Sequence, residues 1–581
     1  MSQKMKVMLT TEGTYPFHQG GVSTWCDILI NKLKPVDYVV YSVIMNPFVT
    51  QKFTLPKGSS LISVPLWGTE EPSEHLLTPF PQIYLMKKQT GPQELKEHFL
   101  PLFRELISEI IAEVKDPKRF GEILLALYYY FQTYEYKASF KSEVVWETYK
   151  EMILTAAADQ DSGLSQPDIY GLVQSLGWLY RFFNIVNTPI PKVDVAHSSA
   201  AAFCGIPCVL AKLTNNTPFL LTEHGIYLRE QYLSLSNRGY SSFLSKFLIR
   251  MVHSITGLNY YYADQVSPVC QYNMRWERQM HVAKKRIEVI YNGIDQQVYT
   301  EAPARESKPP VVVMVARIDP IKDIKTFMKA ARLVLQQEPE TRFVVYGSVS
   351  VPAYYEECKA LKEELQLGDA FLFAGHATQI TAAYHSGDIT VLTSISEAFP
   401  YSVVEAMMTG KPVIATDVGG IKEALGETGI LVEPRNPDAI AEGVIKLIRN
   451  PELRMEMGQD GRERALSYFT LDRVLELHLK SYIKLATRAI DRKPQTVSVP
   501  EEAQQKLAID KALALAASGY RNEAIGQLRF ALKIKPDAPT VPYILTEIAK
   551  LYNQMGQYDK AMTELARCEY YLEAVSTKLI S

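Results

Sequence analysis

The sequence lacks the features that mark disulfide-rich, zinc-binding, membrane-spanning and nucleic-acid-binding proteins. Its 581 residues contain only 6 cysteines, with no CxxC pair and no cysteine–histidine cluster at zinc-binding spacing, which argues against disulfide and zinc frameworks. No apolar run approaches the roughly 20 residues of a membrane-spanning helix. The 62 basic and 64 acidic side chains leave a net charge of −2, so no general positive field would attract nucleic acid or acidic lipid. We therefore expect a cytoplasmic protein with reduced, buried thiols.

What the sequence does have is the composition of a large globular protein. Apolar residues make up 47% and charged residues 22% of the chain, which excludes a largely disordered protein. At roughly 150 residues per domain, the length predicts about four structural units.

Residues 1–300 have the pattern of an α/β domain interrupted by helices. A strand-like run, Lys6 to Thr10, leads through a glycine-containing loop into an amphipathic helical stretch, Val22 to Leu33. From about 79 to 183, apolar residues instead recur at helical spacing. The further strands expected in this domain are Asp37 to Ile44, Val193 to His197, Phe219 to Thr222, Gln265 to Val269 and Ile287 to Ile290. We predict one Rossmann-like domain with a helical insertion.

A second α/β alternation occupies residues 301–490. It follows a segment rich in proline and charge, Glu301 to Pro310, and ends in a long helical stretch, Leu471 to Ile490. Its strand-like runs are Val311 to Ala316, Arg342 to Tyr346, Ala370 to Phe373, Ile389 to Leu392, Val413 to Thr416 and Ile430 to Val432. Continuous apolar strands that alternate with helices predict a buried parallel sheet.

The C-terminal part is predicted to be all helical. A linker at residues 491–502 precedes it, and residues 503–581 carry a weak internal repeat in which Ala524 and Ala561 are 37 residues apart. This spacing is near the tetratricopeptide period of 34. Two such repeats and an ordinary helical hairpin both remain open, and a repeat module would serve to dock a protein partner.

The strongest chemical signal is the run SISEAFPYSVVEAMMTGKPVIATDVGGIKE, which begins at Ser394. Glu397 and Glu405 are separated by seven residues, and Pro400 places the start of a helix around Tyr401 to Val403. Free N–H groups at a helix start can bind phosphate, and carboxylates can accept hydrogen bonds from sugar hydroxyls. Each glutamate alone could also be an ordinary helix cap.

This run resembles the E-x7-E segment of family 4 retaining glycosyltransferases, whose GT-B fold places two Rossmann-like domains on either side of a cleft. The resemblance implies that Glu405 holds the ribose hydroxyls of a nucleotide-sugar donor. It also implies that Glu397, with the backbone around Phe399 and Pro400, holds the donor sugar. The helix start at Tyr401 and Ser402 would contribute N–H groups to the donor.

Arg317 and Lys322 follow the first strand of the second domain, in VARIDPIKD. In the family that the chain resembles, an arginine and a lysine at this place pair with the donor diphosphate. A fixed cationic pair stabilises the charge that grows on a leaving diphosphate, so we expect no metal ion to be required. Asp323 stands where the family usually has glycine, and a surface ion pair is the alternative reading.

The first domain contributes Gly20, Gly21 and His224. Glycines after a first strand let the backbone approach a phosphate or sugar closely, although a tight turn without ligand explains them too. The resemblance implies that His224, in LTEHGIYLRE, lies in the cleft beside the donor sugar. His197 in VDVAHSSA is a weaker candidate of the same kind, and Asn292 begins an NGID segment that matches the family's domain junction.

Two other features do not point to a site. Asp159 and Asp161 form a D-x-D, the metal motif of a different transferase fold, but no strand precedes them and a solvated loop is the better interpretation. The tyrosine runs 128–130 and 260–262 could stack on acceptor sugars, yet helix-core positions explain them equally well.

We therefore interpret the chain as a retaining glycosyltransferase that transfers a hexose or N-acetylhexosamine from a UDP-sugar to a glycan acceptor. The combination of motifs and helical insertion is similar to the Pel exopolysaccharide type of glycosyltransferase. That resemblance implies a cytoplasmic enzyme, peripheral at the inner face of the membrane, with a membrane synthase complex as its partner and no cofactor. A non-catalytic GT-B scaffold is the alternative from another class; the missing G-x-G-x-x-G fingerprint argues against a nucleotide-sugar epimerase.

Overall fold

The protein contains two α/β domains and a C-terminal helical module. The computed structural model describes residues 4–68, 80–302, 309–490, 501–517, 519–536 and 538–580. The predicted linker at 491–502 therefore lies almost wholly outside the described residues, as does most of the segment predicted to join the two α/β domains.

The first domain is built on a parallel six-stranded sheet in the order β3-β2-β1-β4-β5-β6. Its strands are β1 (Met5–Glu12), β2 (Val36–Ile44), β3 (Ser60–Pro65), β4 (Val195–Ser198), β5 (Phe219–Glu223) and β6 (Gln265–Pro268). The helices up to β4 are α1 (Gly21–Lys32), α2 (Phe80–Gln89), α3 (Pro92–Glu94), α4 (Leu100–Ile111), α5 (Pro117–Tyr130), α6 (Tyr136–Phe140), α7 (Glu143–Ala158) and α8 (Ile169–Phe182). Those after β4 are α9 (Ile206–Asn215), α10 (Tyr227–Ser236), α11 (Ser242–Tyr262) and α12 (Met274–Gln279).

The second domain repeats this architecture with a parallel six-stranded sheet in the order β12-β11-β10-β7-β8-β9. Its strands are β7 (Val311–Val315), β8 (Arg342–Tyr346), β9 (Phe371–Gly375), β10 (Ile389–Leu392), β11 (Val413–Thr416) and β12 (Ile430–Val432). Its helices are α13 (Ile324–Gln337), α14 (Pro352–Glu364), α15 (Ile380–His385), α16 (Tyr401–Met408), α17 (Ile421–Leu425), α18 (Pro437–Arg449), α19 (Pro451–Tyr468) and α20 (Leu471–Ile490).

Both sheets have the strand order of a doubly wound nucleotide-binding fold. Read from the first strand of each domain, the order is 3-2-1-4-5-6 in both cases, so the direction of winding reverses between β1 and β4 and between β7 and β10. Ligands of such sheets bind in the crevice beyond the carboxyl ends of the strands at this reversal. The prediction of two Rossmann-like domains is thus confirmed, and the topology points to the loops after β1, β4, β7 and β10.

Two strand predictions in the first domain need correction. Strand β3 was not predicted; it lies at the sheet edge and only its last two residues are fully buried, so its apolar pattern is weak. Conversely, Ile287 to Ile290 does not form a regular strand. Ile287 makes an isolated bridge to Val266, and the backbone N–H groups of Glu288 and Ile290 donate to Val266 and Pro268, so the segment runs beside β6 without becoming a seventh strand.

The helices between β3 and β4 contribute many aromatic rings to the hydrophobic core that they share with the first sheet. Phe99, Phe103 and Phe120 are fully buried in it, and the tyrosines 128–130 are each at most 8% exposed. Rings so enclosed cannot stack on a solvent-borne acceptor, which confirms their interpretation as core positions.

Helix α20 starts in the second domain and returns to pack on β4 and β5 of the first. On it, the Tyr482 hydroxyl lies 2.7 Å from Nδ1 of His197, and Ser481 Oγ accepts a 2.9 Å hydrogen bond from Gln265. His197 Nε2 is in turn 2.7 Å from the Thr222 hydroxyl. Because one ring nitrogen of His197 contacts α20 and the other contacts β5, His197 belongs to the packing between them rather than to the cleft.

Three histidine rings surround the buried indole of Trp25. The ring centres of His197, His224 and His478 lie 5.3, 4.5 and 5.5 Å from it, all at steep interplanar angles. Burial lowers the pKa of His224 and of His478 to about 3 and the pKa of His197 well below its usual value. The cluster is therefore neutral in the folded protein and joins α1 to α20.

We expect His478→Gln to reduce the acid sensitivity of the fold. Between pH 6.5 and about 3 the unfolded chain binds a proton at His478 that the folded chain excludes, so folding stability is lost as the pH falls through this window. From pH 7 to pH 5 this loss is about 2 kcal/mol for one histidine. Urea denaturation at both pH values should show a correspondingly smaller loss in the variant, since buried carboxyl groups, which act in the opposite sense, are common to both proteins. Equal losses would contradict the buried, neutral state of His478.

The C-terminal module consists of α21 (Glu501–Ala517), α22 (Arg521–Ile534), α23 (Val541–Gln554) and α24 (Tyr558–Ile580). The repeat alanines Ala524 and Ala561 are both buried in its core. The module is helical as predicted, and its assignment to tetratricopeptide repeats stays a prediction.

Other expectations concern thiols, metals and membrane helices. The cysteines are all free and buried. Within the described ranges, no group of three or more histidine, cysteine or acidic side chains could hold a metal ion. Among the helices that the structure describes, none has both the length and the apolarity needed to cross a bilayer.

Candidate functional site

Lys322 and Glu397 meet at the point where the second sheet reverses its winding. Lys322 ends the short turn that follows β7, and Glu397 lies in the loop after β10. The ammonium group donates to Oε1 of Glu397, and the Ser394 hydroxyl donates to the same oxygen over 2.6 Å. The two charged side chains are 17% and 13% exposed, so this is a mostly buried ion pair at the crevice.

Asp323 adopts the left-handed backbone conformation, with φ of 45°. Glycine adopts this conformation most easily, which explains why the family that the chain resembles usually has glycine at this position. Aspartate tolerates this region better than most residues. Its carboxylate also accepts a 2.7 Å hydrogen bond from the Thr326 hydroxyl, which fixes the turn that carries Lys322.

Arg317 follows β7 but is much more exposed than Lys322. Its side chain is 61% exposed, donates a 3.0 Å hydrogen bond to Ser350 and lies 3.6 Å from Asp319. A guanidinium group has five N–H donors, so these two contacts leave donors for an anion. The structure places Arg317 at the same strand end as Lys322 without a direct contact between them.

Two glycines after β11 support the loop that carries Glu397. A Cβ atom on Gly419 would lie 1.6 Å from the carbonyl oxygen of Glu397, and one on Gly420 would lie 2.5 Å from that of Ala398. Gly419 also has φ of +60°. The backbone N–H of Gly420 donates to the Ala398 carbonyl over 2.7 Å, so the absence of side chains lets these two backbone segments touch.

Glu405 lies in the second turn of α16, a helix that begins at Tyr401 within the predicted range. Its two carboxylate oxygens accept hydrogen bonds from Tyr299 and Tyr384. Burial raises the pKa of Glu405, and the two tyrosine hydroxyls act in the opposite direction. Glu405 is thus a partly enclosed carboxylate held from both sides.

Phe399, Pro400 and Ser402, which lie between Glu397 and Glu405, each make different contacts. Phe399 is 5% exposed and packs its ring on Tyr291 and Phe469, so only its backbone can serve a ligand. Pro400 caps α16, and the Ser402 carbonyl accepts a 3.2 Å hydrogen bond from Tyr384.

The first domain presents Gly20 and Gly21 to the same helix start. Gly20, with φ of 156°, caps α1, and Gly21 is its first residue. A Cβ atom on Gly21 would lie 3.6 Å from the ring of Tyr401. The first residues of α1 and α16 are therefore neighbours in the cleft, and free N–H groups at helix starts favour an anion.

His224 lies directly after β5, with its ring packed edge-on to Trp25. Its Nε2 is buried and has no hydrogen-bond partner among the described residues. Buried polar atoms are nearly always paired in native proteins. A neutral imidazole with one open nitrogen fits a hydroxyl group of a bound ligand.

A further contact crosses the cleft from α10. Both terminal nitrogens of Arg229 lie 3.3 Å from the Ser396 hydroxyl, next to Glu397. Neither Arg229 nor the glycine pair Gly419–Gly420 was predicted. The paired glycines directly after a strand could have been noticed in the sequence, whereas one exposed arginine carries no such signal.

Asp159 and Asp161 take no part in this site. They lie in an exposed turn within the insertion, where the Asp159 carboxylate accepts a hydrogen bond from the backbone of Asp161. Their interpretation as a solvated loop agrees with this position.

Two family models match the chain. Residues 295–464 match the model described as "Glycosyl transferases group 1", and residues 5–285 match one described as "Domain of unknown function (DUF3492)". Curated relatives match part of the chain. The D-inositol 3-phosphate glycosyltransferase of Corynebacterium glutamicum is 32% identical over 201 residues, and the match covers 32% of this chain and 48% of that protein. The trehalose synthase of Pyrococcus horikoshii is 31% identical over 188 residues, and the match covers 30% of this chain and 44% of that protein. The chain thus spans about half the length of these curated relatives.

Solved structures resemble both α/β domains together. The sucrose-phosphate synthase of Thermosynechococcus elongatus covers 84% of this chain and 100% of its own, with a TM-score of 0.53 and 18% identity. HepE of Anabaena, in complex with UDP and glucose, covers 83% of this chain and 100% of its own, with a TM-score of 0.51 and 15% identity. The predicted GT-B fold is confirmed by these likenesses.

Proposed function

We propose that this protein is a retaining glycosyltransferase that uses a UDP-sugar, since residues 295–464 match the family model of group 1 glycosyl transferases. The observation that carries this proposal is the Lys322–Glu397 ion pair at the crevice of the second sheet. It places a cation, which can bind a diphosphate, beside a carboxylate, which can accept hydrogen bonds from sugar hydroxyls. A sugar diphosphate carries both kinds of group. The solved complex of HepE with UDP and glucose supports the choice of donor.

In the proposed reaction, each residue binds or stabilises one part of the donor. Lys322 and Arg317 neutralise the diphosphate as it leaves, which is where negative charge develops. The helix start at Tyr401 and Ser402, opposite Gly20 and Gly21, adds backbone N–H groups.

The sugar and the nucleoside are held by the remaining residues. Glu397 accepts hydrogen bonds from hydroxyls of the donor sugar, and Nε2 of His224 meets that sugar from the first domain. Glu405 accepts the ribose hydroxyls. The acceptor enters along the first domain and attacks the face from which the diphosphate departs, with the leaving phosphate taking its proton.

The biological setting that we propose is exopolysaccharide synthesis. The sugar transferred is a hexose or N-acetylhexosamine, and the acceptor is a growing glycan. The C-terminal module, which forms its own small core, would dock a protein such as a membrane synthase complex and hold the enzyme at the inner face of the membrane.

A binding panel tests the donor assignment. The full chain is titrated with UDP-, GDP- and ADP-sugars in a thermal-shift assay, with and without EDTA. We expect stabilisation by UDP-sugars that EDTA leaves unchanged, because the cationic pair takes the place of a metal ion. A preference for another base would overturn the choice of UDP, and binding that needs Mg²⁺ would overturn the metal-free site.

The ribose assignment predicts that Glu405→Gln weakens UDP binding. The amide keeps the size of the side chain but loses the charge that accepts the ribose hydroxyls. Hydrogen bonds to a charged acceptor contribute about 1.5–3 kcal/mol, so we expect UDP affinity to fall about 10- to 100-fold in calorimetry. Glu301→Gln, at a site 73% exposed, is the control. An unchanged affinity in Glu405→Gln would remove the ribose role.

A further inference from the structure

The carboxylate of Glu405 is held by two tyrosine hydroxyls at once. Tyr299 donates to Oε1 over 2.8 Å, and Tyr384 donates to Oε2 over 2.6 Å. Because each oxygen has its own donor, the plane of the carboxylate cannot rotate without breaking a hydrogen bond. The two tyrosine rings also contact each other, with their centres 6.5 Å apart and an angle of 60° between their planes.

Both tyrosines are fixed by the same short helix, α15. Tyr384 belongs to α15 and is fully buried. Tyr299 lies just before the segment predicted to join the two α/β domains, and both of its chain neighbours are hydrogen-bonded to α15. The Thr381 hydroxyl donates to the Val298 carbonyl over 3.3 Å, and the His385 ring lies 3.1 Å from the Thr300 carbonyl.

This arrangement leaves Glu405 able to accept from a ligand. A carboxylate offers about four lone-pair sites on two oxygens, and the tyrosines use one on each oxygen. One site therefore remains on each oxygen for another donor. Two neighbouring hydroxyls, such as the 2′- and 3′-hydroxyls of a ribose, match two acceptors whose spacing and plane are fixed.

We propose that Tyr299 and Tyr384 are positioning residues that aim Glu405 at the ribose hydroxyls and thereby set a preference for ribonucleotides. This inference rests on the proposed function, in which Glu405 binds the ribose of the donor. The tyrosines themselves do not touch the donor in this arrangement. Their contribution is to order the carboxylate before the nucleotide arrives, which lowers the entropy cost of binding.

The test compares two nucleotides that differ only in the ribose hydroxyls. Calorimetry measures the affinity of the full chain for UDP and for 2′,3′-dideoxy-UDP, in the wild type and in Tyr299→Phe and Tyr384→Phe. Phenylalanine keeps the ring and its packing and removes only the hydroxyl. Tyr346→Phe is the matched control, because its hydroxyl lies 3.1 Å from Ser386, just beyond α15, rather than at Glu405.

We expect the wild type to bind UDP at least about tenfold more tightly than the dideoxy nucleotide. Each of the two Phe variants should lose about three- to tenfold in UDP affinity and nothing in affinity for dideoxy-UDP, so that discrimination shrinks. The control should keep the wild-type ratio. If Tyr384→Phe does not fold, Tyr299→Phe, whose ring is only partly buried, carries the test.

Two results would overturn the inference while leaving the proposed function intact. One is an equal loss for both nucleotides, which is what a merely structural role would produce. The other is an unchanged UDP affinity in both variants. A wild-type chain that binds no UDP would instead overturn the proposed function, and the inference with it.

Discussion

Replacing Lys322 with alanine is expected to lower turnover of the nucleotide sugar by about two to three orders of magnitude. Removing one preorganised donor from the charge that develops in a transition state costs roughly that much. In this protein Lys322 is held in place by Glu397, which itself receives the Ser394 hydroxyl. The cation is therefore already oriented before substrate binds. Initial rates of UDP release from a UDP-sugar measure the effect.

Lys325→Ala provides the matched control for this prediction. Lys325 lies three residues further along the chain, is 36% exposed and pairs with Glu357 over 2.5 Å. Its removal deletes the same charge from the same domain without touching the crevice, and turnover should stay near the wild-type value. A Lys322→Ala variant that keeps near-normal turnover would show that the lysine does not stabilise the leaving group.

The second large effect is expected from Gly419→Ala, about a hundredfold loss of turnover. The added methyl group would fall 1.6 Å from the Glu397 carbonyl oxygen, so one of the two backbone segments must move by more than an ångström. A misplacement of this size in a group that positions substrate can cost about a hundredfold in rate. The positive φ of Gly419 adds strain to the same change.

Gly368→Ala is the control that distinguishes the effect of backbone strain from the effect of displacing the loop that carries Glu397. Gly368 also has a positive φ, and a Cβ atom there would meet nothing within 4 Å. This variant should retain its activity, whereas Gly419→Ala should lose it although both carry the same kind of strain. If the two variants behave alike, the glycine does not position Glu397.

Much of the fold could be predicted because buried parallel strands leave a clear pattern. The strands Val311–Val315 and Val413–Thr416 are fully or almost fully buried, and all of their residues except Thr416 are apolar. The edge strand Ser60–Pro65 has no such run, because most of its residues remain partly exposed. Burial on both faces, rather than strand propensity alone, made the central strands visible.

Residues of the candidate site could be predicted where they share a short motif, and not where they meet across the fold. Glu397 and Glu405 stand in one run, so their spacing could be interpreted directly. Tyr299 and Glu405 are 106 residues apart, and His478 reaches Trp25 only because α20 returns to the first domain. Local patterns contain no information on contacts of this kind, which depend on the packing of whole elements.

Retention in a transfer from a nucleotide sugar can be followed by proton NMR of a mixture of the full chain and an α-linked UDP-hexose, in which water takes the place of the glycan acceptor. The spectra record the release of UDP and the anomeric configuration of the sugar product as it first forms. We expect UDP to appear together with an α-configured product, and we expect Lys322→Ala to suppress both signals. A β-configured first product, or no UDP release from any UDP-sugar supplied, would show that the protein is not a retaining transferase of this kind.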